Sequence, residues 1–224
     1  MNESTRYEIA LSFLNNIGPK RAKLLLSEIG SAEAIFKTKK SKLYEIKSIG
    51  KSLIDSINFE NALTLADQEI EYILKNDIQP IFYLDKTYPK RLKNAEDGPI
   101  MLYSKGKFDL NKNKIVSVVG TRNASNYGLE LVENLIKELA GHNIIIVSGL
   151  AFGIDIKAHR ECIQKNIPTV AVLGSIIDRI YPPENYNTAM EMCQNGGVLT
   201  EFKHQTKPDR ENFPRRNRIV AGMS

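Results

Sequence analysis

The chain has 224 residues, 42% hydrophobic and 25% charged, with a formal charge of +5. That composition suits a globular protein with one large or two modest cores, and no apolar run approaches the ~20 residues of a membrane helix. The start, "MNESTRYEIALSFL", lacks a secretory pattern, so the protein is expected in the cytoplasm; the two cysteines, Cys162 and Cys193, show no ligand spacing and read as buried thiols, with no metal or cofactor implied.

From Tyr7 to about Leu74 the apolar spacing is helical, punctuated by Gly18-Pro19 and Gly50. An approximate repeat, "NIGPKRAKLLLSEIG" and "SIGKSLIDSI", places an Ile-Gly turn before a helix twice. This is similar to a tandem helix-hairpin-helix or SAM-like module, whose helix N-termini can bind a phosphate without reading a base; a plain helical connector is the alternative. "GKS" at 50 to 52 is not a P-loop, because Glu45 stands where its first Gly belongs. The expected division is a helical domain over 1–74 and a second domain over 75–224.

The second segment alternates strands and helices. "IVSVV" (115 to 119), "IIIV" (144 to 147), "TVAVLG" (169 to 174) and "GVLTE" (197 to 201) read as strands. Leu129, Val132, Leu135, Ile136 and Leu139 form one face of the helix after the first, and another helix starts at Asp155. The fold class is therefore α/β, a Rossmann-like, doubly wound and mostly parallel sheet. Ligands of such sheets bind at the carboxyl ends of the strands, where Gly120, Thr121, Arg122, Ser148, Gly149, Gly153, Gly174 and Ser175 form a rim suited to phosphate. The first loop is not GxGxxG and the second strand ends in Ser148, so a dinucleotide is not expected. An arginine on that loop suits a phosphodiester, which its planar fork can hold.

Charge is focused in two places. Residues 37–51 carry six lysines against Glu45, and residues 203–218 carry Lys203, Lys207, Arg210, Arg215, Arg216 and Arg218 against Asp209 and Glu211. The rest of the chain is net acidic, so both stretches point to a polyanion; a solvated lysine face is the alternative for the first. Phe213 lies among the arginines, in an expected loop, as an exposed aromatic able to stack on a base.

The strings "GTRNASNYG", "VSGLAFGIDIKAH", "AVLGSIIDRIYPPEN", "GGVLTEF" and "FPRRNRIVAGMS", preceded by "YPKRLKNAEDGPIMLYSKG", resemble the DprA/Smf family of DNA-processing proteins from about Tyr88 to Ser224. The resemblance implies a single-stranded DNA-binding recombination mediator of natural transformation, not an enzyme, that protects incoming DNA and helps load RecA. It also implies that Arg122 contacts the DNA backbone, that Arg210 adds a basic group, that Phe213 stacks on a base, and that Ser148, Gly149 and Gly153 form a phosphate-facing turn. Two departures, Ile176 in place of a Gly and Pro183-Glu184 where some members are basic, predict a less cationic rim there. The family continues beyond the string ending at Ser224, so this chain is expected to be a shortened form. The homodimer of full-length members is expected to be weak or absent here, since no apolar stripe visible in the sequence replaces the missing contacts.

The enzymatic alternative is a Rossmann-like nucleotide-processing enzyme of phosphoribohydrolase type, with Glu201 as general base. Asp155, His159 and Cys162 fall on one helix face but lack a nucleophile elbow, so His159 reads as a packing residue and Cys162 as core.

Overall fold

The computed structural model describes residues 3–111 and 114–224. The chain divides into two compact units, one formed by residues up to Asp77 together with Pro99–Met101, the other by Ile78–Gly98 and Leu102–Ser224.

The first unit is helical: α1 (Glu3–Ser12), α2 (Pro19–Ile29), α3 (Ala32–Lys37), α4 (Lys40–Leu43), α5 (Lys51–Ser56) and α6 (Phe59–Lys75). Gly18 and Gly50 are the N-cap residues of α2 and α5, with Pro19 at the first position of α2, where its missing N–H costs nothing. Ser31 and Asn58 cap α3 and α6 by accepting from Ala34 N (3.1 Å) and Asn61 N (2.9 Å). The core holds Ile9, Leu11, Leu25, Ile35, Leu43, Ile54 and Ile73, with Tyr7, Phe36 and Phe59 in an aromatic row.

The second unit is a six-stranded sheet. Its elements are β1 (Gln79–Phe82), α7 (Lys90–Lys93), β2 (Met101–Gly106), β3 (Lys114–Ser117), α8 (Asn126–Leu139), β4 (Ile144–Ser148), α9 (Ile154–Gln164), β5 (Thr169–Val172), α10 (Tyr186–Met192), β6 (Gly196–Thr200) and α11 (Asn212–Met223). The order is β1-β2-β6-β5-β4-β3. Strands β3 to β6 are parallel, with Ile115 beside Ile145, Val147 beside Val170 and Ala171 beside Val198, while β2 runs antiparallel to β6. The mostly parallel α/β sheet expected from the sequence is thus present.

Alternation along β4 explains why all five of its residues are buried. Ile144 and Ile146 meet Val132 and Ile136 of α8 and Ala158 and Cys162 of α9. Ile145 and Val147 face the other way, to Ile219, Val220 and Met223 of α11 and Leu92 of α7. The sheet is therefore covered on both faces, and its strand ends hold the loops between them.

Three expectations change. Strands β1 and β2 were not among the four named from sequence. On α8 only Val132 and Ile136 are buried, and Tyr127, Leu131 and Leu135 (74%, 56% and 41% exposed) form an outward apolar row absent from the sequence reading. Leu135 belongs to that row because α8 lies on the sheet through a narrower face than its apolar count suggests. Cys162 is buried, but Cys193 is only half-buried. No described helix is long and apolar enough to cross a membrane.

Candidate functional site

The parallel strands deliver four loops to one edge of the sheet, after β3, β4, β5 and β6. In the first, Gly120, Thr121 and Arg122 are exposed. The Thr121 hydroxyl accepts from Asn123 N (3.2 Å), and the Thr121 carbonyl accepts from Ile154 N (3.2 Å) in the second loop. Gly153 makes that junction possible: its φ is +78°, and a Cβ would stand 2.2 Å from the Thr121 carbonyl.

Arg122 then projects over an aromatic pair. Its guanidinium carbon lies 5.6 Å from the centre of the Phe213 ring, within cation–π range. Phe213 and Tyr181 have ring centroids 5.6 Å apart at 51°. The Phe213 ring rests on Gly174, where a Cβ would come within 2.7 Å of it. Around this pair opens a groove of about 540 Å³ lined by Arg122, Ser175, Arg179, Tyr181, Arg210 and Phe213. A smaller recess of about 50 Å³ adjoins it, lined by Phe152 and floored by Arg216. Three arginines thus surround two adjacent, tilted rings, an arrangement able to hold phosphate oxygens beside a flat base.

The residues expected at the rim separate into two groups. Arg122, Arg210 and Phe213 converge on the groove, and Gly120 and Thr121 stand exposed beside Arg122. Lys207 is exposed but does not line the groove. Ser148 is fully buried and its hydroxyl donates to the Val118 carbonyl (2.5 Å), so it ties β4 to β3 and does not face a ligand. Gly149 is buried as well, under the side chains of Asp155 and Arg216.

The arginines after Phe213 also need correction. They lie on α11, as does Phe213 itself, because a proline in the first helical turn does not interrupt the helix. Helical phase then turns Arg216 inward, where it is 4% exposed and donates to the Val172 carbonyl (2.5 Å). Arg218 bonds to Glu201 and to the Asp97 carbonyl. Arg215 alone of the three is exposed, 3.8 Å from Glu201.

Sequence reasoning missed Phe152, Arg179 and Tyr181. Phe152 had a signal, as a large apolar residue in a glycine-flanked loop, whereas Arg179 and Tyr181 lie in the long loop after β5 with no local pattern that marks them. Arg179 also supplies charge in the segment expected to be less cationic, and Ile176 is buried and so no part of the rim.

The candidate catalytic groups are held in place. Both ring nitrogens of buried His159 are bonded, Nε2 to the Gly149 carbonyl and Nδ1 to Thr169 Oγ1, each at 2.7 Å. A carbonyl only accepts, so Nε2 carries the proton and Nδ1 accepts from the hydroxyl. Burial holds this neutral ring at a pKa of about 4. Burial likewise pushes the Cys162 thiol up to about 12 and raises the carboxyl of Glu201, which Arg218 opposes. The basic stretch of residues 37–51 lies in the helical unit, where Lys39, Lys40, Lys42 and Lys47 are exposed, Lys37 bonds to Glu33 and Lys51 lies over Tyr44.

Comparison with known proteins finds a family and similar folds. Residues 79–224 match the model of the family described as DNA recombination-mediator protein A. Protein Smf of Synechocystis is 33% identical over 227 residues, a match covering 100% of this chain and 57% of that protein. The structure of DNA processing protein A from Streptococcus pneumoniae superposes with a TM-score of 0.77 at 29% identity, over 98% of this chain and 75% of that one. The Helicobacter pylori protein, whose structure was described for its single-stranded DNA binding mode, gives 0.58 at 31% identity over 66% of each chain. The chain spans about half the length of the curated relatives it matches.

Proposed function

The chain belongs to the DNA recombination-mediator protein A family, and from that premise we propose that it binds single-stranded DNA in the groove over Phe213 and Tyr181, acting as a recombination mediator without turnover. The observation that carries this reading is the convergence of Arg122, Arg179 and Arg210 on two adjacent aromatic rings. The arginines supply charge-assisted bonds to phosphate, and the rings supply stacking that any base can use. Such a groove presents no recognition helix, so binding is sequence-tolerant and favours single strands over duplex. Protection of the bound strand and help in loading RecA follow as the cellular role, in natural transformation. The enzymatic reading is weaker: Glu201, its general base, is bonded to Arg218 and only 6% exposed at its side chain.

Photocrosslinking to a bromodeoxyuridine-substituted oligonucleotide tests the site. Crosslinks are expected in the peptides containing Phe152, Tyr181 and Phe213. Crosslinks confined to residues 3–75 would move the site to the helical unit.

A further inference from the structure

Arg216 is a cation only 4% exposed, at the floor of the small recess beside the groove. Its guanidinium donates to the Val172 carbonyl at the end of β5, and its Nε has no partner. Asp155 approaches over the same side of Gly149: a Cβ at that glycine would lie 2.2 Å from both an Asp155 carboxylate oxygen and an Arg216 guanidinium nitrogen. The carboxylate accepts from Ala151 N (3.3 Å), and His159, one turn further along α9, bonds to the Gly149 carbonyl. A lone buried guanidinium is strongly unfavourable, and Asp155 is the opposite charge that acts on it.

The position of this couple suggests its use. Phe213 stands three residues before Arg216 on α11, on the same helix face. Its ring rests on Gly174, two residues past the carbonyl that Arg216 grips. Helix α11 is therefore fastened to the end of β5 at two neighbouring points, one polar and buried, the other aromatic and in the groove. Loss of the polar point frees the helix to roll and the ring to leave its seat.

We infer that Arg216 and Asp155 are positioning residues: a buried pair of opposite charges that fixes the rotation of α11 and holds Phe213 against Gly174 and Tyr181, without touching the bound strand. The inference rests on the nucleic-acid reading of the groove. It differs from a phosphate-contact role for Arg216 in what salt does, because a group that meets no phosphate releases no counterion.

A mutant cycle on the full chain decides it, using a fluorescein-labelled oligothymidylate. Arg216→Met is expected to weaken binding roughly tenfold, within the range of one lost base stack, with the wild-type salt slope. In the Phe213→Ala background the same change is expected to cost nothing further, since the group it positions is gone. Arg216→Lys, which keeps the charge but not the planar fork, and Asp155→Asn should show the same pattern with smaller losses, and they carry the test if Arg216→Met does not fold. Losses that multiply in the double variant, a slope reduced by about 0.7, or wild-type affinity in Arg216→Met would each overturn the inference. One readout needs no DNA. NOEs between the Phe213 and Tyr181 rings should vanish in Arg216→Met while those between β4 and β5 persist; their survival overturns the proposal even if wild-type protein binds no DNA, a result that would separately sink the reading of the groove.

Discussion

Replacing Phe213 with alanine removes the platform of the groove and should separate stacking from charge. The ring touches Gly174, pairs with Tyr181 and lies under Arg122. Loss of one base stack, at about 1–3 kcal/mol, corresponds to roughly 5- to 150-fold in affinity. The slope of log K against log salt should stay at the wild-type value, because stacking releases no counterion. Stability should fall only modestly. Full burial of a phenylalanine contributes about 3–5 kcal/mol against alanine, and this ring is half-buried with an open groove on one side, which leaves ~1–2 kcal/mol. At roughly 2–4 °C per kcal/mol, the melting temperature should drop by a few degrees. Anisotropy titrations at several salt concentrations, with a thermal melt of the same sample, make the measurement. Unchanged affinity, or a slope reduced by about one phosphate's worth, would refute the reasoning.

Arg122→Ala should weaken single-strand binding by about 1–3 kcal/mol and flatten the salt slope by about 0.7, and Lys40→Ala should do much less; equal losses in the same titration would shift the main site toward the helical unit. His159 is held neutral, with its pKa lowered by burial to about 4, below the ordinary value of 6.5. Because the unfolded chain takes up the proton first, its contribution is complete above pH 6.5 and falls by about 3 kcal/mol as pH drops toward 4; urea melts across that window should show it, and His159→Gln should flatten the dependence. Ellman's reagent should label half-buried Cys193 in native protein and Cys162 only on unfolding, so equal native rates would contradict the burial of Cys162. Sedimentation at micromolar concentration should give a monomer or weak association. A stable dimer would contradict this and direct attention to Tyr127, Leu131 and Leu135 on α8.

The sheet was legible in the sequence because β4 and its neighbours are short apolar runs between amphipathic helices, the pattern that a strand covered on both faces must have. The strands β1 and β2 were not, since "QPIF" holds a proline and "MLYSKG" has no alternation. In the site, Arg122, Arg210 and Phe213 were found from charge, glycine context and resemblance. What failed was direction. Ser148 has the right residue type at the right strand end, yet its side chain turns inward to Val118, and Arg216 and Arg218 look like surface charge until the helical phase of α11 is known. Conversely, Tyr181 and Arg179 enter the groove through a loop whose path no local pattern encodes.

The central claim, a sequence-tolerant single-strand groove at the carboxyl ends of the parallel strands, is tested most directly by fluorescence anisotropy of this chain against single-stranded and blunt duplex oligonucleotides at two salt concentrations. The account predicts tighter binding to the single strand at both, similar affinities for unrelated sequences, and weakening with salt. Equal or tighter binding to the duplex, or no binding to the single strand at the lower salt, would contradict it.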